Sequence, residues 1–117
     1  MDIVRPGEED TTPRLATVDS GADISMVREE VARELGFTIF RHELAARALG
    51  STVRFREYIL VPWCIARNSE TQYSTRFYIL LDDPDVDFDF LLGKDWMSNS
   101  DVYPRNPAVR LARRLHF

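Results

Sequence analysis

The sequence predicts a small all-β domain that contains one amphipathic helix. Two segments, residues 52–61 and 73–81, are rich in the β-branched and aromatic residues that strands favour. A shorter segment, residues 14–18, alternates loosely and ends at an aspartate. Only residues 26–35 show clear helical spacing, so strands dominate the predicted secondary structure.

The predicted helix covers residues 26–35. Its apolar positions recur at i, i+4 and i+8, at Val27, Val31 and Leu35. Ser25 is a candidate N-cap, Glu29 can pair with Arg33 one turn later, and Gly36 supplies the stop. These signals together predict a helix from about Met26 to Leu35.

The second half of the chain continues the strand pattern. Residues 86–92 predict a short apolar strand that ends at Gly93, and residues 94–98 predict a one-turn helix. In the tail, Val109, Leu111, Leu115 and Phe117 share one parity, which favours a half-buried strand. The same tail also fits one helical face, and the strand is the preferred interpretation.

Composition indicates one ordinary globular domain. The 117 residues are enough for one domain and too few for two, and 44% are hydrophobic and 29% charged. The net charge of −4 argues against a nucleic-acid partner, and no apolar run is long enough to span a membrane. Cys64 is the single cysteine, and the first residues do not form a secretory signal. We therefore expect a cytoplasmic or nuclear protein.

One short segment stands out as a candidate for chemistry. Asp19, Ser20, Gly21 and Ala22 follow the strand at residues 14–18 directly. A tight turn out of a strand would project the Asp19 carboxylate, and Gly21 would relieve the crowding of such a turn. Turn chemistry alone would also explain an Asp-Ser-Gly sequence, so this segment is not diagnostic by itself.

A second segment far along the chain changes this interpretation. Thr17-Val18-Asp19-Ser20-Gly21-Ala22 is followed by Asp89-Phe90-Leu91-Leu92-Gly93-Lys94-Asp95-Trp96. This pair of motifs resembles the retropepsin family, the dimeric aspartic proteases of retroviruses, retrotransposons and their cellular relatives. The resemblance covers about residues 14 to 98. It implies a small closed barrel of the acid-protease type, with one helix after the active-site loop.

The resemblance also implies roles for the residues of the first motif. Asp19 would be the catalytic carboxylate of one half of a homodimeric site. Ser20 would join the two active-site loops by hydrogen bonds, and Gly21 and Ala22 would shape the loop. Asp23 would contact the substrate backbone.

The resemblance also implies roles for residues in two later segments. Gly50 and Ser51 would lie in the flap that covers the substrate, although the family's viral flaps are richer in glycine. Leu91, Leu92 and Gly93 would support the active-site loop from below.

The function implied is that of an aspartic endopeptidase, which hydrolyses peptide bonds as a homodimer and needs neither metal nor cofactor. Residues 1–117 would form a single domain, with residues 99–117 as a tail that adds a strand to the dimer interface. Its partners would be a polypeptide substrate and a second copy of the chain, with no nucleic acid and no membrane. The alternative is a catalytically inactive module of the same fold that serves in dimerisation or peptide binding.

Other kinds of chemistry have weaker support. His42 and His116 are the only histidines, and nothing in the sequence places either one to activate Cys64 or a serine. The aspartates of residues 82–89 lack the glycine and the glutamate that a calcium-binding loop requires at fixed positions. They are better interpreted as the solvated face of a strand.

Overall fold

A computed structural model describes residues 2–4, 14–65, 68–81 and 86–100. The elements in these ranges, in chain order, are β1 (Asp2–Val4), β2 (Arg14–Val18), β3 (Met26–Arg28), α1 (Glu29–Leu35), β4 (Ile39–Ala48), β5 (Ser51–Ile65), β6 (Asn68–Leu80), β7 (Phe90–Leu92) and α2 (Lys94–Ser100). The prediction of a mostly β domain is confirmed at this level.

The strands of the described ranges form one sheet in the order β1-β2-β7-β3-β6-β5-β4. The long strands β4, β5 and β6 are antiparallel neighbours, whereas β2–β7 and β3–β6 are parallel pairs. A short pairing also joins β1 to β5. Among the described strands β4 pairs with β5 alone, so the sheet as a whole is not closed into the barrel that the family resemblance implies.

Two hydrophobic clusters hold the sheet together. The larger cluster packs α1, α2 and one face of the sheet, and its bulkiest members are Trp63, Phe77, Phe90 and Trp96. The smaller cluster lies between the segment that follows β2 and the β4–β5 hairpin, and includes Ala22, Met26, Ala48, Phe55 and Leu91. Because side chains of a strand alternate between its faces, β3, β6 and β7 contribute to both clusters.

The predicted helix is wrong in its first turn. Met26–Arg28 forms β3, which pairs with both β6 and β7, and the helix begins only at Glu29. Arg28 is the N-cap residue, and no side chain caps the helix there. The end of the helix is as predicted, with Gly36 in the left-handed conformation at φ 71° and Arg33 bound to Glu29 at 3.0 Å.

Other boundaries also differ from the sequence prediction. β7 is limited to Phe90–Leu92, although residues 86–92 have the composition of a strand. The short helix after Gly93 is confirmed and runs from Lys94 to Ser100. The first two residues of the predicted tail, 99 and 100, are therefore helical. The rest of that tail, residues 101–117, which includes the predicted strand from Val109 to Phe117, lies outside the described ranges.

Candidate active site

Asp19 lies at the point where β2 ends, in a tight turn. The Asp19 carbonyl accepts a hydrogen bond from the Ala22 N–H at 3.2 Å, which closes a four-residue turn. The Asp19 carboxylate accepts a second bond from the Gly21 N–H, at 2.8 Å to Oδ1. A Cβ on Gly21 would come within 3.1 Å of this same oxygen. The turn therefore holds the half-buried carboxylate in one orientation.

Gly93 lies directly beneath this turn. The Asp19 N–H donates to the Leu92 carbonyl at 2.9 Å, and the Lys94 N–H donates to the Ala22 carbonyl at 2.9 Å. A Cβ on Gly93 would lie 2.5 Å from the Ile24 carbonyl oxygen and 2.8 Å from that of Ala22. The two motifs that are distant in the sequence are thus in main-chain contact, at a distance that only glycine permits.

Ser25 and Asp95 form a second link, one that local sequence patterns did not predict. The buried Ser25 hydroxyl donates to Asp95 Oδ1 at 2.7 Å and accepts a bond from the Gly93 N–H at 3.0 Å. The Ser25 N–H donates to Asp95 Oδ2 at 3.0 Å. Ser25 thus connects α2 to the segment after the Asp19 turn instead of capping a helix. The signal in the sequence was a serine between the apolar residues Ile24 and Met26.

Asp23 links the β4–β5 hairpin by hydrogen bonds to the loop that carries Asp19. The Asp23 N–H donates to the Arg47 carbonyl at 2.9 Å, and the Arg47 N–H donates to Asp23 Oδ2 at 3.3 Å. Lys94 Nζ lies 3.9 Å from Asp23 Oδ1. Next to Arg47, Ala48 is buried in the smaller cluster with Ala22. The hairpin therefore packs directly onto the loop that carries Asp19.

The predicted flap is the tip of this hairpin. Ala48 pairs with Ser51, so Leu49 and Gly50 form the turn. Both have positive φ, 54° for Leu49 and 79° for Gly50, as in the tight turns that suit the twist of a hairpin. Leu49 is 39% exposed, and Gly50 and Ser51 are also exposed. A two-residue turn in which only one position is glycine makes this tip tighter than a glycine-rich flap.

The structure brings together most of the residues singled out from the sequence. Residues 19–22 and 91–93 form one contact region, and Asp23 borders it. Ser20 is exposed at the turn, and its side chain makes no hydrogen bond within the described residues. Among those residues, no hydrogen bond links Gly50 or Ser51 to the Asp19 turn, so the hairpin approaches the loop through Arg47 instead.

Over the described ranges, no group of three or more His, Cys, Asp and Glu side chains is placed to hold a metal ion. Neither α1 nor α2 has the length and apolar character that a membrane crossing requires. Comparison of the chain with protein-family models, with curated proteins and with solved structures returned no match.

Proposed function

We propose that the chain is a retropepsin-like aspartic endopeptidase that acts as a homodimer, with Asp19 as its catalytic carboxylate. The observation that carries this proposal is the contact between the two motifs. Gly93 lies under the Asp19 turn, against the carbonyls of Ala22 and Ile24, and Leu92 accepts the Asp19 N–H. Simple turn chemistry at Asp19 would not require a distant glycine at this position. The acid-protease type of fold belongs to the same proposal, without the closed barrel.

The surroundings of Asp19 suit a carboxylate that activates water. One oxygen is held by the Gly21 N–H, and no lysine or arginine of the described ranges forms an ion pair with Asp19. A carboxylate without a cationic partner stays available as a proton acceptor, and it lies at a strand end that is only partly buried. These features favour a general base over a structural ion pair.

Peptide hydrolysis without a metal or a covalent intermediate needs a base for water and an acid for the leaving amide. Two adjacent carboxylates that share a proton supply both groups. The neighbouring carboxylates of this chain are already engaged, since Asp23 binds Arg47 and Asp95 binds Ser25. The second carboxylate is therefore that of Asp19 in a second copy, across a two-fold axis. Ser20, which is exposed, would bind its counterpart in the same interface, as the family resemblance implies.

One observation favours a second candidate, an inactive module of the same fold that binds peptides or mediates dimerisation. The family resemblance assigns Asp23 to contact with the substrate backbone, but the main-chain N–H of Asp23 donates to the Arg47 carbonyl of the hairpin. Ala48 and Phe55 of the hairpin also pack against Ala22 of the loop. A cleft that the hairpin fills in this way would suit a module that no longer admits substrate.

Cleavage of a fluorogenic peptide library by the wild type and by Asp19→Asn tests the proposal. Asparagine nearly matches the shape of aspartate but cannot exchange the proton, so we expect activity to fall by about 10²-fold or more. Asp87→Asn is the matched control, because Asp87 is exposed and belongs to neither of the two motifs. Equal activity of the wild type and Asp19→Asn would contradict the assignment. A folded, dimeric wild type that cleaves no peptide would favour the inactive module.

A further inference from the structure

The arginines that the structure describes fall into two groups according to their partners. Three arginines of β2, β3 and α1 each bind a carboxylate at 3.0 Å or less, in the pairs Arg14–Glu34, Arg28–Asp89 and Arg33–Glu29. Five arginines of β4, β5 and β6 form no ion pair with any described residue, namely Arg41, Arg47, Arg54, Arg56 and Arg76. Although the sequence as a whole has a net charge of −4, the unpaired arginines of the described residues lie on three neighbouring strands.

Three of the unpaired arginines share the outer face of the hairpin. Arg54 and Arg56 are exposed and flank Phe55, which points inward and is buried. Arg47 pairs across the strands with Thr52, which lies two positions before Arg54 and therefore on the same face. All three guanidinium groups thus extend from the side of the hairpin that faces away from the active-site loop.

Arg76, on the neighbouring strand β6, extends this face, and two contacts fix its guanidinium group. Its Cζ lies 4.1 Å from the centroid of the Tyr58 ring, and its Nη1 donates to the Tyr78 hydroxyl at 3.4 Å. The hydrogen bond to Tyr78 raises the pKa of Arg76. Its cross-strand neighbour Leu60 is 42% exposed, and Phe40, stacked on Tyr58, is 39% exposed. Apolar surface therefore lies beside the fixed cation.

We propose that this basic-apolar face, formed by Arg47, Arg54, Arg56, Arg76, Phe40 and Leu60, docks an acidic polypeptide segment that also carries apolar side chains. Arg54 and Arg56 line a depression of 330 Å³, in which Glu43 is the single carboxylate. Carboxylates of a partner would meet guanidinium groups that form no ion pair within the described residues, so no existing ion pair has to break. The exposed Phe40 and Leu60 would add the apolar contact that a purely ionic surface lacks.

A polypeptide fits this face better than a nucleic acid does. Single-stranded nucleic acids bind sheets largely by stacking bases on exposed aromatic rings. The Tyr58 ring is not available for stacking, because Phe40 on the neighbouring β4 and Arg76 on the neighbouring β6 cover it from opposite sides. The remainder of the chain is acidic and would repel a long polyanion.

Fluorescence anisotropy of a labelled peptide that alternates glutamate with leucine tests the proposal on the full chain. We compare the wild type with Arg54→Gln/Arg56→Gln and with the matched control Arg14→Gln/Arg33→Gln, which changes the net charge equally. We expect affinity for the peptide to fall about tenfold in the first variant and to stay within about twofold in the control. Added salt should weaken binding to the wild type, because exposed charges are screened.

Additional probes distinguish this basic-apolar face from a purely ionic surface and from a nucleic-acid site. A glutamate–serine peptide and Leu60→Ser should each weaken binding, because both remove the apolar contact. Asp19→Asn should bind the peptide as the wild type does. Failure of the docking proposal is therefore distinguishable from failure of the proposed catalysis. Equal loss of affinity in both arginine variants, no binding to the wild type, or tighter binding of a single-stranded oligonucleotide would each overturn the proposal.

Discussion

Replacement of Gly93 by alanine is the sharpest test of how the two motifs fit together. The new Cβ would lie 2.5 Å from the Ile24 carbonyl oxygen, 2.7 Å from the Ile24 carbonyl carbon and 2.8 Å from the Ala22 carbonyl oxygen. Carbon atoms in good contact lie about 3.5–4.0 Å apart, so the neighbouring main chain would have to move. All three atoms belong to the backbone, and no side-chain rotation can relieve the overlap.

Overpacking of a core generally costs about 1–3 kcal/mol, and a clash with rigid backbone on two sides belongs at or above the top of that range. We expect Gly93→Ala to lower the free energy of unfolding by about 3 kcal/mol or more, a large fraction of the ~5–15 kcal/mol of a typical domain. Any folded protein that remains should also lose activity, because the displaced carbonyls belong to the loop that positions Asp19.

Urea denaturation followed by tryptophan fluorescence measures this change. Gly36→Ala is the matched control, since Gly36 has φ 71° but nothing within 4 Å of the position of its Cβ. It should cost only about 1 kcal/mol, from conformational strain. If Gly93→Ala unfolds at the same urea concentration as the wild type, the tight approach of Gly93 to the loop is wrong.

The remaining predictions concern one tyrosine and the proposed enzyme. The Tyr73 hydroxyl is buried without a hydrogen-bond partner among the described residues, so Tyr73→Phe should leave stability unchanged or raise it by about 1 kcal/mol, measured by thermal denaturation. Burial raises the pKa of Tyr73 above its ordinary 10.0, so the unfolded chain loses this proton at a lower pH than the folded chain does. The contribution of the protonated Tyr73 to stability is therefore full below pH 10.0 and is lost as pH rises through the folded-state pKa. Tyr73→Phe should remove this alkaline loss of stability. A shared-proton pair requires a bell-shaped pH–rate profile that chelators do not alter, and a rate that climbs steadily into alkaline solution would contradict it. Because the site needs two copies of Asp19, specific activity should rise with protein concentration in step with dimer formation measured by sedimentation, and constant activity from a strict monomer would refute the dimer.

Much of the fold follows from local patterns in the sequence. β2 has the predicted bounds, β5 includes the whole predicted segment 52–61, and β6 includes the predicted segment 73–81 except for Leu81. The error at Met26–Arg28 has a tertiary cause. The spacing of Val27, Val31 and Leu35 fits a helix, but Val27 pairs with Ile79 on one side and Phe90 on the other. Two long-range strand partners outweigh a weak helical preference, and a local pattern does not contain them.

Some features of the candidate site could likewise be predicted from the sequence, and others could not. The turn at Asp19 was predictable because its residues are contiguous and Gly21 marks the turn. The link between Ser25 and Asp95 was not, because these residues are 70 positions apart and neither the N-cap pattern of Ser25 nor the motif that contains Asp95 indicates that the two side chains meet. The contact of Asp23 with Arg47 depends on how closely the hairpin approaches the loop. This approach depends on the packing of Ala48 in the smaller cluster and not on the turn at the tip of the hairpin.

If the proposed site binds a peptide, the reciprocal hydrogen bonds between Asp23 and Arg47 make that binding an exchange reaction. A peptide that takes the Asp23 N–H must displace a carbonyl that is already bound there, so main-chain hydrogen bonds are traded and little is gained from them. If each of the two bonds contributes about 1 kcal/mol, opening the hairpin would lower the apparent affinity about thirtyfold. Discrimination would then rest on the side chains of the ligand, since only they offer contacts that the hairpin does not already make. Such a site would discriminate between ligands although it binds each of them weakly. In most copies of the protein the hairpin would be closed when no ligand is bound.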